Sequence, residues 1–219
     1  MTAEEPDPSD EYTGAVGNAA FVLALRERGL RDTAVLRAME LVPREHFAPP
    51  EHRGLARRDI ALPLPCGASM TAPRTVALML ALLAVESGQR VLEIGTGSGY
   101  AAALLARLGA GAVLSLERYA SLAQDAAGRL AGLPEVRVIR ADGLAAGLPD
   151  GGFDRILVNG CLDAVPPHWH AALVRGGRLV TGLRIGGACR IAALTDGGEP
   201  EFGPSARLEE LVPGLARAL

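Results

Sequence analysis

The segment from Val91 to Tyr100 combines an apolar run with three closely spaced glycines. It reads V-L-E-I-G-T-G-S-G-Y, with Gly95, Gly97 and Gly99 in its second half. Glycine lets the backbone approach a ligand closely and tolerates the positive φ angles of tight turns. An apolar strand that runs into such a turn and then into a helix is typical of the first strand-to-helix connection of a nucleotide-binding unit.

The spacing of these glycines argues against a dinucleotide ligand. The dinucleotide fingerprint is G-x-G-x-x-G, whereas this chain has G-x-G-x-G and carries Tyr100 where the third glycine would stand. On this motif alone, a glycine turn that binds no ligand remains an alternative.

Acidic residues further along the chain favour a ligand that contains a ribose. Glu117 ends the next predicted strand, 22 positions after Gly95, and an acidic side chain about 20 residues beyond such a motif reaches a ribose diol. Asp142 and Gly143 follow the third predicted strand, where a carboxylate and a bare backbone amide can read an adenine amino group. The alternative is that Glu117 and Asp142 are solvated turn residues. The whole pattern predicts an S-adenosylmethionine pocket formed by Glu93, Gly95, Thr96, Gly97, Gly99, Glu117, Asp142 and Gly143.

Strands and helices alternate along the chain on both sides of this motif. Apolar periodicity predicts helices at 16–28, 32–40, 73–85, 98–108, 119–131 and 166–174, and strands at 90–94, 112–117, 136–139, 153–158, 178–183 and 189–195. This alternation predicts an α/β fold in which a mostly parallel sheet has helices on both faces.

The chain is predicted to form a single domain between two less regular ends. Residues 1–15 are acidic and contain Pro6 and Pro8, which predicts a flexible N-terminal tail. Residues 16–219 form the domain, in which 16–72 provide a helical cover followed by a loop. Residues 196–219 are a C-terminal tail with a weak helical pattern from Leu208 to Leu219.

Composition and charge exclude several classes of partner. The net charge is −3, with 22 basic and 25 acidic residues, so no positive field attracts nucleic acid or an anionic membrane surface. The longest apolar stretch, Val76 to Val85, is shorter than the roughly 20 residues of a membrane span. Three widely spaced cysteines suit neither a disulfide framework nor a zinc site, which predicts a reducing cytoplasm and no metal.

Four segments of the chain resemble the protein-L-isoaspartate O-methyltransferases. They are L-V-P-R-E-H-F-A-P-P at 41–50, the glycine motif, F-D-R-I-L-V at 153–158 and G-G-R-L-V at 176–180, and the likeness extends over about residues 21–183. The resemblance implies a class I methyltransferase (Rossmann-like) fold and S-adenosylmethionine as donor, with S-adenosylhomocysteine as product. It also implies methyl esterification of a side-chain carboxylate on a polypeptide.

The same resemblance points to the acceptor site. The family reads L-P-I-G-x-G-Q-T-I-S-Q-P where this chain reads L-P-L-P-C-G-A-S-M-T-A-P at 62–73. The family's active-site serine therefore falls on Thr71 and its threonine on Ser69, which are the candidate catalytic residues. A carboxylate with a pKa near 4 is already ionised at neutral pH, so it needs hydroxyl donors to orient it and no general base.

Departures from the family pattern leave three functions open. Pro65 replaces a glycine, residues 159–166 differ at nearly every position, and the usual closing strand is absent from 196–219. The main interpretation is methylation of isoaspartyl or aspartyl side chains, leading to a succinimide (aspartimide). The alternatives are a tailoring enzyme for one Asp of a ribosomally made natural-product precursor peptide, and a non-catalytic S-adenosylmethionine-binding module.

Overall fold

The computed structural model describes residues 8–148, 151–195 and 198–216. Its helices are α1 Pro8–Glu27, α2 Thr33–Leu41, α3 Pro73–Leu83, α4 Tyr100–Arg107, α5 Ala120–Arg129 and α6 Pro167–Ala172. Its strands are β1 Leu62–Pro63, β2 Ser69–Met70, β3 Arg90–Ile94, β4 Ala112–Glu117, β5 Val136–Arg140, β6 Phe153–Leu162, β7 Leu173–Ile185, β8 Ala188–Thr195 and β9 Glu201–Ser205.

Strands β3 to β9 form one sheet in the order β5-β4-β3-β6-β7-β8-β9. The first five strands in that order are parallel, and β8 and β9 continue the sheet as antiparallel neighbours. The chain leaves β3 towards β4 on one side, whereas β6 pairs on the other side of β3. Ligands of open α/β sheets bind at such a reversal of strand order, outside the carboxyl ends of the strands.

Side chains alternate between the two faces of the sheet and form a core on each. In β3, Val91 packs with the buried residues of α1 to α5, whereas Leu92 and Ile94 pack with Trp169 of α6 on the opposite face. A strand buried on both faces reads as a nearly continuous apolar run, and residues 91–94 fit this pattern except at the buried Glu93. The predicted α/β fold with a mostly parallel sheet and helices on both faces is confirmed.

The first helix begins earlier than the sequence predicted. The expectation placed residues 8–15 in a flexible tail, but α1 starts at Pro8. Proline fits the first turn of a helix because its missing N–H has no partner there anyway, so Pro8 can start the helix instead of preventing it. The rest of the predicted tail, residues 1–7, lies outside the described residues.

The C-terminal region is extended and not helical. Strand β9 was not predicted, because Gly203 and Pro204 disfavour strands except at a sheet edge, which is where β9 lies. The helical pattern predicted from Leu208 is wrong for the residues described, since Pro213 and Gly214 interrupt it. We call residues 206–216 the C-terminal strap.

Cys161 and Cys189 form a disulfide, contrary to the expectation from cysteine count and spacing. They lie on β6 and β8, which flank β7, and Cys161 is paired with Gly182 of β7. A Cβ at Gly182 would lie 2.6 Å from the Cys189 Sγ, so only glycine leaves room for the bond to cross the intervening strand. Cys66 is a free cysteine.

The helices within the described residues were also compared with the requirements of a membrane span. None of them has both the length and the apolar character that crossing a membrane requires.

Candidate active site

A cavity of about 270 Å³ lies at the carboxyl edge of the sheet, beside the reversal of strand order. Several parts of the chain line it. Among them are the loop between β3 and α4, the segment 67–71 around β2, residues 116–119 and 141–144 at the ends of β4 and β5, and residues 209–212 of the strap.

The three glycines of the motif form the tight turn that the sequence predicted. Gly95, Gly97 and Gly99 have φ angles of 89°, 53° and 89°, in the region that L side chains rarely adopt. Gly95 and Gly97 line the cavity. Gly99 serves packing instead, because a Cβ there would lie 3.0 Å from the side chain of Leu130.

The two predicted carboxylates stand at the ends of neighbouring strands and line the cavity. The Glu117 carboxylate accepts hydrogen bonds from the N–H groups of Gly97 (2.8 Å) and Tyr119 (3.0 Å). The Asp142 carboxylate accepts from the N–H groups of Leu144 (2.9 Å) and Gly214 (2.7 Å). An ionised carboxylate has about four acceptor sites, so each can still bind a ligand donor.

Thr96 and Gly143, two further candidate donor-binding residues, also line the cavity. The Thr96 hydroxyl is hydrogen-bonded to that of Ser115. Gly143 lies against β3, where a Cβ would come within 2.4 Å of Ile94, and its carbonyl accepts a 2.8 Å bond from the indole of Trp169. The backbone therefore reaches the cavity wall at a point where no side chain fits.

Glu93, like Gly99, is a residue predicted to bind the methyl donor that the structure does not bring to the cavity. Its side chain is fully buried, hydrogen-bonded to the Ser115 hydroxyl and to the Asn159 amide (2.8 Å). Burial raises the pKa of Glu93 to about 8, so the carboxyl group is protonated at neutral pH. Glu93 therefore does not face the cavity. It accepts a hydrogen bond from Asn159 and so orients that side chain, which does line the cavity.

Ser69 and Thr71 lie on the part of the cavity wall that precedes α3. Ser69 belongs to β2, which pairs with β1 through Pro63, and Thr71 follows directly after β2. Helix α3 then begins at Pro73, as the sequence predicted. The structure thus brings both candidate catalytic hydroxyls to the cavity that the glycine loop lines.

Asn159 is a site residue that sequence reasoning did not identify. Its amide donates to Glu93 and to the carbonyl of Gly95 (2.9 Å), so it connects β6 to the glycine loop. The sequence showed it only as a departure from the family pattern. Its place directly after the apolar run of β6, next to the glycine motif of β3, was the available signal.

The strap also escaped the sequence analysis. Cys161 donates its N–H to Glu209 (2.7 Å) and accepts from the N–H of Leu211 (3.2 Å). Further along, the Arg118 guanidinium donates to the carbonyl of Gly214 (2.9 Å). These hydrogen bonds connect the strap to residues near strand ends that are far from it in sequence. A local sequence pattern therefore cannot predict them.

Comparisons with known proteins decide the family. The sequence profile described as protein-L-isoaspartate(D-aspartate) O-methyltransferase matches residues 16–196. This chain belongs to that family. A protein-L-isoaspartate O-methyltransferase of Azorhizobium caulinodans is 42% identical over 220 residues, covering 96% of this chain and 100% of the relative. One from Rhodopseudomonas palustris strain BisB18 is 42% identical over 205 residues, covering 91% and 94%.

A solved structure supports the fold. A putative protein-L-isoaspartate O-methyltransferase from Plasmodium falciparum, in complex with S-adenosyl-L-homocysteine, matches with a TM-score of 0.77 at 19% identity, covering 88% of this chain and 97% of that one. The predictions of the family and of the class I methyltransferase fold are confirmed.

Proposed function

We propose that this protein transfers the methyl group of S-adenosylmethionine to the side-chain carboxylate of an isoaspartyl or aspartyl residue in a polypeptide. The observation that carries the proposal is that one cavity is lined by the glycine loop, the two carboxylates and both candidate hydroxyls. The residue types on the donor side fit a nucleoside, because they combine exposed backbone with carboxylates able to accept from hydroxyl and amino groups.

On the donor side, Glu117 would accept from the ribose hydroxyls and Asp142 from the adenine amino group. Gly95, Thr96 and Gly97 let the ligand approach the main chain. The other two residues predicted to bind the methyl donor would affect its binding indirectly. Gly99 lets α4 pack against Leu130, and Glu93 holds the side chain of Asn159. When bound, S-adenosylmethionine supplies a methyl carbon made electrophilic by the sulfonium.

On the acceptor side, Ser69 and Thr71 would donate hydrogen bonds to a carboxylate that is already ionised. One carboxylate oxygen forms a bond to the methyl carbon while the bond between that carbon and sulfur breaks. The electron pair of the broken bond goes to sulfur. Both charges disappear, so the protein's main task is to align the partners and exclude water. Alignment alone can be equivalent to effective molarities of about 10⁵ M or more.

The ester that forms makes the side chain reactive towards its own backbone. The neighbouring main-chain nitrogen attacks the ester carbonyl and expels methanol, which gives a succinimide. Water then opens the succinimide to aspartate or isoaspartate. An isoaspartyl residue that passes through this cycle can therefore return to a normal peptide linkage.

We propose isoaspartyl-containing proteins as the substrates, rather than a single natural-product precursor. The relatives matched along 91% and 96% of this chain are named for isoaspartate and support the main interpretation, not the tailoring alternative. We also propose the cytoplasm as the place of action, although the Cys161–Cys189 disulfide removes the argument from cysteine spacing, since disulfides are rare in a reducing compartment. With a net charge of −3, nucleic acid and membranes are not proposed as partners.

The decisive experiment compares an unstructured isoaspartyl peptide with its aspartyl twin. We expect formation of S-adenosylhomocysteine and a peptide methyl ester with the isoaspartyl form. Methylation of the aspartyl twin alone would favour tailoring. Donor binding by calorimetry without turnover of either peptide would favour the binding module.

Matched variants of Thr71 test the acceptor site in the same assay. Thr71→Val removes the hydroxyl but keeps the branched shape, whereas Thr71→Ser keeps the hydroxyl. A hydrogen bond to a charged group contributes about 1.5–3 kcal/mol, so Thr71→Val should lose roughly 10- to 100-fold in kcat/KM. Thr71→Ser should stay near the wild type, and donor affinity should be kept in both. An unchanged rate in Thr71→Val would refute the assigned role.

A further inference from the structure

Arg44 is a buried cation whose described hydrogen bonds all end on main-chain carbonyls. Its side chain is 1% exposed. Nη1 donates to the carbonyl of Ala56 (2.7 Å), and Nη2 lies within hydrogen-bond reach of the carbonyls of Ile60 (3.1 Å), Met70 (3.3 Å) and Thr71 (3.1 Å). Nε has no hydrogen-bond partner among the described residues. The guanidinium thus joins the turn 44–46 and residues 56–60 to the segment that carries the candidate hydroxyls.

A charge in this position is costly to the fold. Burial lowers the pKa of Arg44 to about 10, so the group remains cationic at neutral pH, and its removal from water has to be offset by hydrogen bonds. Hydrogen bonds from an ionised donor are roughly twice as strong as neutral ones. A planar guanidinium also fixes the direction of each bond, which a flexible ammonium does not.

Few other main-chain hydrogen bonds hold the segment that carries Ser69 and Thr71. Strands β1 and β2 are two residues each, and their register pairs are Leu62 with Met70 and Pro63 with Ser69. Pro63 and Pro65 have no N–H to donate. Arg44 acts where β2 ends, on the carbonyls of the residues that lie between Ser69 and α3.

We propose that Arg44 is a positioning residue for the acceptor carboxylate, holding the backbone at Met70 and Thr71 so that the hydroxyls of Ser69 and Thr71 face the methyl donor. This inference rests on the proposed function. Arg44 does not line the cavity, so its effect on the reaction is through the backbone at Met70 and Thr71. Misplacement of reacting groups by about 1 Å can cost about 10²-fold in rate.

The test uses Arg44→Lys and Arg44→Ala in the full chain. Arg44→Lys keeps the charge but loses the planar set of donors, and we expect kcat/KM for the isoaspartyl peptide to fall by about 10²-fold. We expect the dissociation constant of S-adenosylhomocysteine, measured by calorimetry, to stay within about twofold, because the donor side is untouched. In Arg44→Ala, free guanidinium should restore part of the rate, and ammonium should not.

Arg178→Lys is the matched control. Arg178 also donates to a main-chain carbonyl, that of Leu82 (2.8 Å), but it does not line the cavity. We expect its kcat/KM to match the wild type. If Arg44→Ala fails to fold, Arg44→Lys alone carries the test.

The outcomes separate this inference from the proposed function. A wild-type protein that methylates neither peptide overturns the proposed function, whatever Arg44 does. An active wild type together with an unimpaired Arg44→Lys overturns the positioning role. Equal losses of donor affinity and of kcat/KM in Arg44→Lys would mean that Arg44 supports the whole fold, and would overturn it as well.

Discussion

Glu93 lies behind the cavity wall, and its protonation state determines which hydrogen bonds it can form with its neighbours. Glu93 is protonated at neutral pH because it is fully buried, and it is part of a hydrogen-bonded series with Ser115 and Thr96. Asn159 connects the same carboxyl group to the glycine loop. The sequence could identify Glu93 as important from its place in the motif, but not that it acts through a neighbour, because burial is a property of the assembled sheet.

Replacing Glu93 should change how stability depends on pH. The pKa of Glu93 rises from 4.5 to about 8 on folding, so the folded state binds a proton that the unfolded state releases between these values. The contribution is complete below pH 4.5 and is lost as pH rises to about 8, at up to about 1.4 kcal/mol per pH unit. Glu93→Gln should lack this slope in denaturant unfolding measured across the same range.

A surface variant provides the reference for that series. Glu86 has 77% of its side chain exposed, and Glu86→Gln should follow the wild-type curve. Parallel curves for the wild type and Glu93→Gln would show that Glu93 is ionised in the folded protein.

At the scale of elements, the sequence predicted long regular segments better than short or irregular ones. Strands such as 90–94 and 112–117 were placed correctly, since each buries apolar side chains on two faces. The two-residue strands β1 and β2 are too short for any periodicity. The strap is held by contacts with distant strand ends, so its path depends on tertiary structure.

The close contact between the β5–β6 connection and β3 makes Gly143 sensitive to substitution. Gly143→Ala would place a Cβ 2.4 Å from Ile94, which should destabilise the protein by about 1–3 kcal/mol and weaken binding of S-adenosylhomocysteine. Thermal unfolding and calorimetry measure the two effects.

Gly128→Ala is the matched control for that substitution. Gly128 lies inside α5 with nothing near its Cβ position, so alanine there should be neutral or stabilise by up to about 1 kcal/mol. If Gly143→Ala is as well tolerated as Gly128→Ala, the close contact with Ile94 does not constrain the site.

At the scale of the whole molecule, the disulfide joins the site to the antiparallel half of the sheet. Cys161 lies on β6, beyond the residues 155–158 that pair with β3, and Cys189 belongs to β8. The sequence could not predict this pair, because its two members are brought together only by the order of strands. The resemblance to the family likewise predicted the methyl-donor site better than the acceptor site, because fewer residues around the acceptor site match the family pattern.

Thiol titration should confirm this pairing. The unfolded, unreduced protein should show one reactive thiol, Cys66, and three after reduction. Closing a loop of 28 residues should stabilise the fold by on the order of 3 kcal/mol. The double variant Cys161→Ser with Cys189→Ser should therefore unfold at lower temperature than the oxidised wild type. Three reactive thiols without reductant would contradict the pairing.

The way in which the strap is anchored makes this enzyme a good starting point for directed evolution. Its ties at Glu209, Leu211 and Gly214 use main-chain atoms, which almost every residue type supplies. The side chains at 209, 210 and 212 border the cavity and can be randomised without removing those ties, whereas Leu211 packs tightly over Gly160 and should be kept. A small library at three positions can thus vary one wall of the cavity while the main-chain hydrogen bonds of the strap are kept.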